Sequence, residues 1–206
     1  VSATGAASFT FDGVSTDLNG SGDDDVLRVD LTDGGNDATF EIRGGSSFGS
    51  LSFTSGTLNV EGGVTVNNGV TATGGTINVN ASGATFIGAV DASGGGAVNI
   101  SSGNELTVET GANDITHDSD SDDGEGFQGD GTLVFAQTDG SGSHTVGTGG
   151  NFPSVRVDGP NLTINGASTV GGSFEANAPT NISGADLTVA GALNADAAVD
   201  VAGSRT

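Results

Sequence analysis

The amino-acid sequence predicts an all-β chain wound as a parallel β-helix (β-solenoid) with short three-strand coils of about 20 residues. Three observations predict it. Strand and turn formers dominate the composition. Apolar and polar residues alternate over stretches of three to five. One such stretch returns at a nearly fixed period.

Gly supplies 38 of the 206 residues and Pro only 3. Gly this abundant, without a three-residue period and with so little Pro, is not collagen. Cys, Met, Trp, Tyr and Lys are absent, and Phe, with ten copies, is the one aromatic type. Val and Thr favour strands, while Asn, Asp and Gly favour turns. Helix formers are scarce, so the balance tips to β before any pattern is read.

The repeat lies in the middle of the chain. Thr57-Leu58-Asn59-Val60 returns as Thr76-Ile77-Asn78-Val79, nineteen residues later, and as Ala97-Val98-Asn99-Ile100 after a further twenty-one. Val64-Thr65-Val66 and Val70-Thr71-Ala72 lie between the first two copies, separated by Gly or Asn-Gly. One period therefore holds three short strands and three bends. Alternation puts Leu58 and Val60 on one side of a strand and Asn59 on the other. Strands this short gain stability only by stacking on copies of themselves around an apolar centre. Gly and Asn at the corners tolerate the backbone angles of sharp bends.

Leu106-Thr107-Val108, Val155-Arg156-Val157, Leu162-Thr163-Ile164, Leu187-Thr188-Val189 and Val199-Asp200-Val201 repeat the form at looser spacing. Longer strands are expected earlier, over Ser8 to Phe11, Val26 to Leu31, Ala38 to Ile42 and Ser50 to Thr54. These fit wider coils, a cap, or a small sandwich. Asp114 to Asp130 reads as an acidic loop before a strand from Leu133 to Ala136. The chain is thus expected to be one elongated β domain over 1–206. Within it, 1–54 form a cap or wider coils, 55–110 regular coils, 111–131 the acidic loop and 132–206 looser coils. About ten coils at roughly 4.8 Å each would make a rod near 50 Å long. An antiparallel β-sandwich is the alternative fold, since it too has many short strands and Gly-rich turns.

The net charge is −22 with four Arg. Nucleic acid is excluded as a partner, because phosphate binding needs clustered cations. Anionic membranes are disfavoured for the same reason. Self-repulsion of this size is relieved by salt or divalent cations, which points to an extracellular setting. The absence of Cys excludes a disulfide scaffold and zinc-thiolate sites. No apolar run reaches transmembrane length. The chain starts at Val1, as expected of a processed secreted protein or a segment of a longer one.

Two acidic stretches are candidate Ca²⁺ sites, and Ca²⁺ is the one cofactor the sequence suggests. Asp118, Asp120 and Asp122 alternate, so a turning backbone can aim three carboxylates at one centre, and Ca²⁺ takes six to eight such oxygens. The run resembles the Asp-x-Asp-x-Asp-Gly calcium loop. It departs where Asp123 holds the sixth position, Gly124 follows one residue late, and Gly129 stands where a twelfth-position Glu belongs. Asn19-Gly20-Ser21-Gly22-Asp23-Asp24-Asp25-Val26 resembles one nonapeptide of the repeats-in-toxin family, without a clear second copy. The alternatives are a solvated loop for the first stretch and a plain turn for the second.

Five sequons, at Asn19, Asn80, Asn99, Asn161 and Asn181, permit glycosylation on a secreted surface. About four are expected by chance in a chain so rich in Asn, Ser and Thr. Catalysis finds little support, and the chain is read as a non-enzyme. His117 and His144 are the only histidines and lack a partner pattern. An acid–base pair such as Asp120 and Asp122 would suit a polysaccharide-active β-helix. Such enzymes want cations and aromatic platforms that this chain lacks. Ice binding wants Thr-x-Thr on successive coils, and only Thr71-Ala72-Thr73 fits.

The Leu-Asn-Val, Gly-Gly-Val-Thr-Val and Asn-Gly-Val-Thr units resemble the β-helical regions of bacterial surface adhesins of the filamentous haemagglutinin and autotransporter-passenger types. The resemblance covers about residues 50 to 110 and 154 to 203. It implies a right-handed parallel β-helix at the cell surface, and no catalytic residue. Two roles follow as expectations. One is a self-assembling subunit of a filament, sheath or surface layer, whose partners are copies of itself. The other is an adhesive or spacer segment of a large adhesin, meeting surface glycans or cell-envelope components. A solenoid's end coils expose strand edges, and no capping helix is visible at either end of the sequence.

Overall fold

The computed structural model describes residues 8–12, 26–30, 39–109, 115–117, 126–137, 143–147, 150–159, 161–183 and 186–202. Every ordered element among them is a strand, and every strand pair is parallel. The chain is a β-solenoid with three faces, and the antiparallel sandwich is excluded.

From Thr39 onward each rung contributes one strand to each face. Face 1 stacks Ser8–Asp12, Thr39–Arg43, Thr57–Val60, Gly75–Val79, Gly96–Ile100 and Gly126–Gly129. A separate ladder of Asn151–Phe152, Ser168–Val170 and Leu187–Val189 then takes over. Face 2 runs from Ser47–Phe48 through Thr65–Val66, Ala84–Ile87, Glu105–Glu109, Thr132–Ala136, Ser154–Val157 and Phe174–Ala176 to Leu193–Ala195. Face 3 runs from Val26–Asp30 through Ser50–Ser55, Val70–Ala72, Val90–Ala92, Ile115–His117, His144–Val146, Leu162–Asn165 and Thr180–Ser183 to Val199–Ala202.

The sequence repeat is the structural register. Thr57 pairs with Thr76 and Thr76 with Ala97, which aligns Leu58, Ile77 and Val98 in one inward column and Val60, Val79 and Ile100 in the next. These six side chains are at most 1% exposed. Faces 2 and 3 line the same core with columns such as Phe48–Val66–Phe86–Val108–Phe135–Val157 and Leu51–Val70–Val90–Ile115. Burying each Val, Leu, Ile or Phe is worth about 1.5–3 kcal/mol, so the column, not the isolated strand, is the stable unit.

Ser8–Asp12 pairs in parallel with Thr39–Arg43, and Val26–Asp30 with Ser50–Ser55. Both continue the parallel ladders of faces 1 and 3, which excludes a sandwich.

Two expectations are corrected. The segment read as one acidic loop contains two strands, Ile115–His117 and Gly126–Gly129, that continue faces 3 and 1. The expected ten or so coils are too many. About seven turns separate Thr39–Arg43 from Leu187–Val189, a rise of roughly 34 Å. The difference has a simple cause. Regular rungs repeat at about 19 residues, but Ala97 pairs with Gly126, so that rung spends many more residues on its connections.

Candidate functional site

The feature that stands out chemically is the last rung, Leu187–Val189, Leu193–Ala195 and Val199–Ala202. Each strand lies at the edge of its sheet. Register sets Leu187 and Val189 over Ser168 and Val170, Leu193 and Ala195 over Phe174 and Ala176, and Val199 and Val201 over Thr180 and Ile182. One rung earlier the inward side chains are sealed: Val170, Phe174, Ala176 and Ile182 are all 0% exposed. In the last rung Leu193 is 55% exposed and Val201 38%, and these are the exposed large hydrophobics among the described residues. Such a surface combines open N–H and C=O groups with apolar side chains. It can extend a β ladder and bury hydrophobic area in one step.

A groove opens beside it on the outer side of face 3. Ser143, Asn161, Thr163, Pro179, Asn181 and Asp200 help line a cavity of about 320 Å³. Thr163, Asn181 and Asp200 stand in register on three successive rungs. The groove therefore offers hydroxyl, amide and carboxylate groups spaced one rung apart, a set suited to hydrogen bonding.

The outer side of face 1 is held by a ladder of amides. The Asn78 Nδ2 donates to Asn59 Oδ1 at 3.0 Å, and the Asn99 Nδ2 donates to Asn78 Oδ1 at 3.1 Å. A second ladder runs beside it, with Asn80 Nδ2 donating to Glu61 Oε1 at 2.8 Å and Ser101 Oγ donating to Asn80 Oδ1 at 2.7 Å. Outside face 2, the Arg156 guanidinium grips Glu105 and Asp158. The Glu105 carboxylate holds Arg156 above its ordinary pKa. Asn177 Nδ2 extends the cluster by donating to Asp158 and Glu175.

These ladders bear on the sequons. Asn80 and Asn99 already use the nitrogen that a glycan would occupy. Asn161 and Asn181 are exposed and flank the face 3 groove. Asn19 lies outside the described residues, as do the candidate calcium ligands Asp23, Asp24, Asp25, Asp118, Asp120, Asp122 and Asp123. Among the described residues, no group of three His, Cys, Asp or Glu side chains converges as a metal site.

His144 is the residue that sequence reasoning left unplaced. The sequence set it in a Ser/Gly/Asp-rich stretch, yet it points inward and is 0% exposed. Val146 pairs with Ile115, and His144 stands inward in one column with Leu162 and Thr180. Its ring lies 5.6 Å from that of Phe135, at a tilt of 59°. Gly159 packs so closely that a Cβ there would sit 2.9 Å from His144 Nε2. Burial pushes the imidazole below its ordinary pKa, opposed by a hydrogen bond to the Ala136 backbone. The alternation His144-Thr145-Val146 was the available signal.

No family model, no curated protein and no solved structure matches the chain.

Proposed function

We propose that this chain is an extracellular structural protein, a self-assembling rod subunit of a filament, sheath or surface layer. The observation that carries the reading is the uncovered last rung, where core-type side chains meet solvent at three open strand edges. A rung that resembles the rungs beneath it invites another rung on top. The charge of −22 supports an extracellular setting, because salt or divalent cations there would screen the repulsion between copies.

The same rung favours a second reading. It would equally be covered by further coils of a larger adhesin of the filamentous haemagglutinin or autotransporter-passenger type, in which this chain would be a spacer.

Sedimentation velocity and electron microscopy of purified protein, at high salt with calcium, test the first reading. Assemblies larger than one chain are expected. A monodisperse 19.8 kDa monomer at all concentrations would remove it.

A further inference from the structure

The groove on the outer side of face 3 carries polar groups that the fold leaves unused. Its lining is two parallel columns. His144, Leu162, Thr180 and Val199 stack in register, so the residues before them, Ser143, Asn161, Pro179 and Ala198, form a corner column. Thr163, Asn181 and Asp200 form the second column, on three successive rungs. The cavity they line holds about 320 Å³, within the range of small-ligand sites. It opens on the side of the solenoid, so stacking a further rung on the last one would not cover it. Amides on or beside faces 1 and 2 are spent within the fold: Asn78, Asn80, Asn99 and Asn177 each donate to a neighbouring rung. In the groove the amides are open. Asn161 and Asn181 are exposed, and neither side chain shares a hydrogen bond with another described residue.

The groove thus repeats its polar groups once per rung, at a spacing of about 4.8 Å. A ladder of this kind matches a polymer that repeats at the same spacing. An extended β-1,4-linked pyranose chain advances by a similar distance per sugar and turns its hydroxyls outward. Asn amides and Thr hydroxyls both donate and accept, as sugar hydroxyls do. Exposed Pro179 adds an apolar patch for the C–H face of a sugar. Charge narrows the class. Among the described lining residues Asp200 is the one charged group, and no cation stands beside it. Uronate, sulfate and phosphate ligands are therefore disfavoured. One carboxylate also falls short of the pair that glycoside hydrolysis uses, so the groove is suited to holding a glycan and not to cutting it.

We propose that this groove binds a neutral β-1,4-linked glycan, laid along the solenoid axis with one sugar per rung beside Thr163, Asn181 and Asp200. The site goes beyond the structural role and does not depend on how copies assemble.

Isothermal titration calorimetry of the whole chain with cellohexaose and chitohexaose tests the proposal, with maltohexaose as the comparison. At least one of the two β-1,4 hexamers is expected to bind. Affinity should rise with oligomer length up to about three sugars, the number of rungs in the ladder, and then level off. Maltohexaose, whose α-linked chain coils and breaks the spacing, should bind at least about tenfold more weakly, the loss of one or two hydrogen bonds. T163V and N181A should each weaken binding roughly three- to tenfold. T85V, on the outward side of face 2, should leave it unchanged. Circular dichroism checks that all three variants fold. No binding of either hexamer at millimolar concentration would overturn the proposal. So would equal binding of maltohexaose, or affinity untouched by both T163V and N181A. None of these results bears on self-assembly, which sedimentation velocity reads separately.

Discussion

Arg156 and Glu105 grip each other across two rungs of face 2, with Nη1 2.5 Å from Oε1 and Nη2 3.1 Å from Oε2. The strand between them carries Val134, which pairs with both Thr107 and Arg156 and points outward. Val134 is nevertheless only 2% exposed. A fork-to-fork bridge thus spans a rung whose outward residue is apolar, and the Arg156 stem is placed to shield it.

That arrangement predicts two separable costs. Both partners are partly exposed, so the ion pair itself should contribute only about 0.5–1 kcal/mol. R156M keeps a long apolar stem and should lose about that much. R156A also uncovers Val134 and should lose about 1 kcal/mol more. Urea melts of R156M, R156A, E105Q and the R156M/E105Q double variant would measure this. Equal losses for R156M and R156A would show that the stem shields nothing.

The amide ladder on face 1 has a direction, and its members should respond unequally to substitution. Asn78 both donates to Asn59 and accepts from Asn99, whereas Asn59 is the acceptor in their shared bond. N78D removes the donor and sets two acceptor oxygens against each other, at an expected cost of about 1–3 kcal/mol. N59D keeps the acceptor that Asn78 uses and should cost clearly less. Thermal melts at neutral pH compare them, and a milder effect for N78D than for N59D would contradict the ladder's direction.

The ladder and its columns were legible in the sequence, because Thr57 to Ile100 repeats both its alternation and its spacing. The period locates the rungs and the alternation assigns the sides. Val134 was not legible, since Leu133-Val134-Phe135 is apolar throughout and carries no parity. The strands Ile115–His117 and Gly126–Gly129 were hidden by acidic neighbours. The exposure of the last rung had no local signal at all. Leu187-Thr188-Val189 reads like Leu106-Thr107-Val108, and only the presence or absence of a further rung makes one a surface and the other a core. The candidate calcium ligands rested on local spacing alone and lie outside the described residues.

Two corner glycines should behave differently although both have positive φ. Gly75 has φ +73°, and a Cβ there would lie 2.5 Å from Gly56 O and 2.8 Å from Phe53 Cε1. Gly103 has φ +77° with nothing within 4 Å. G103A therefore suffers backbone strain only, about 1 kcal/mol after the entropy lost by the unfolded chain is counted. G75A adds a clash with the neighbouring rung and should cost about 3 kcal/mol. Denaturant midpoints would rank the two, and equal losses would mean that the rungs separate easily at this corner.

His144 should make stability depend on pH in a fixed direction. Its folded pKa lies below the ordinary value near 6.5, chiefly through burial. Above about pH 6.5 the imidazole is neutral in both the folded and unfolded chains, and its contribution to stability is fully present. As pH falls through 6.5 towards the lower folded value, the unfolded chain binds a proton that the folded chain resists. Stability is then lost at up to about 1.4 kcal/mol per pH unit. Carboxylates titrate at lower pH, so the comparison that isolates His144 is a variant unable to titrate. H144L keeps an apolar inward group in the column above Leu162. Between pH 7.5 and 5.5 the melting temperature of the native chain should fall more steeply than that of H144L, whatever their difference at pH 7.5. Parallel profiles would show that His144 is protonated within the fold or reaches solvent readily, and its inward column with Leu162 and Thr180 would need to be redrawn.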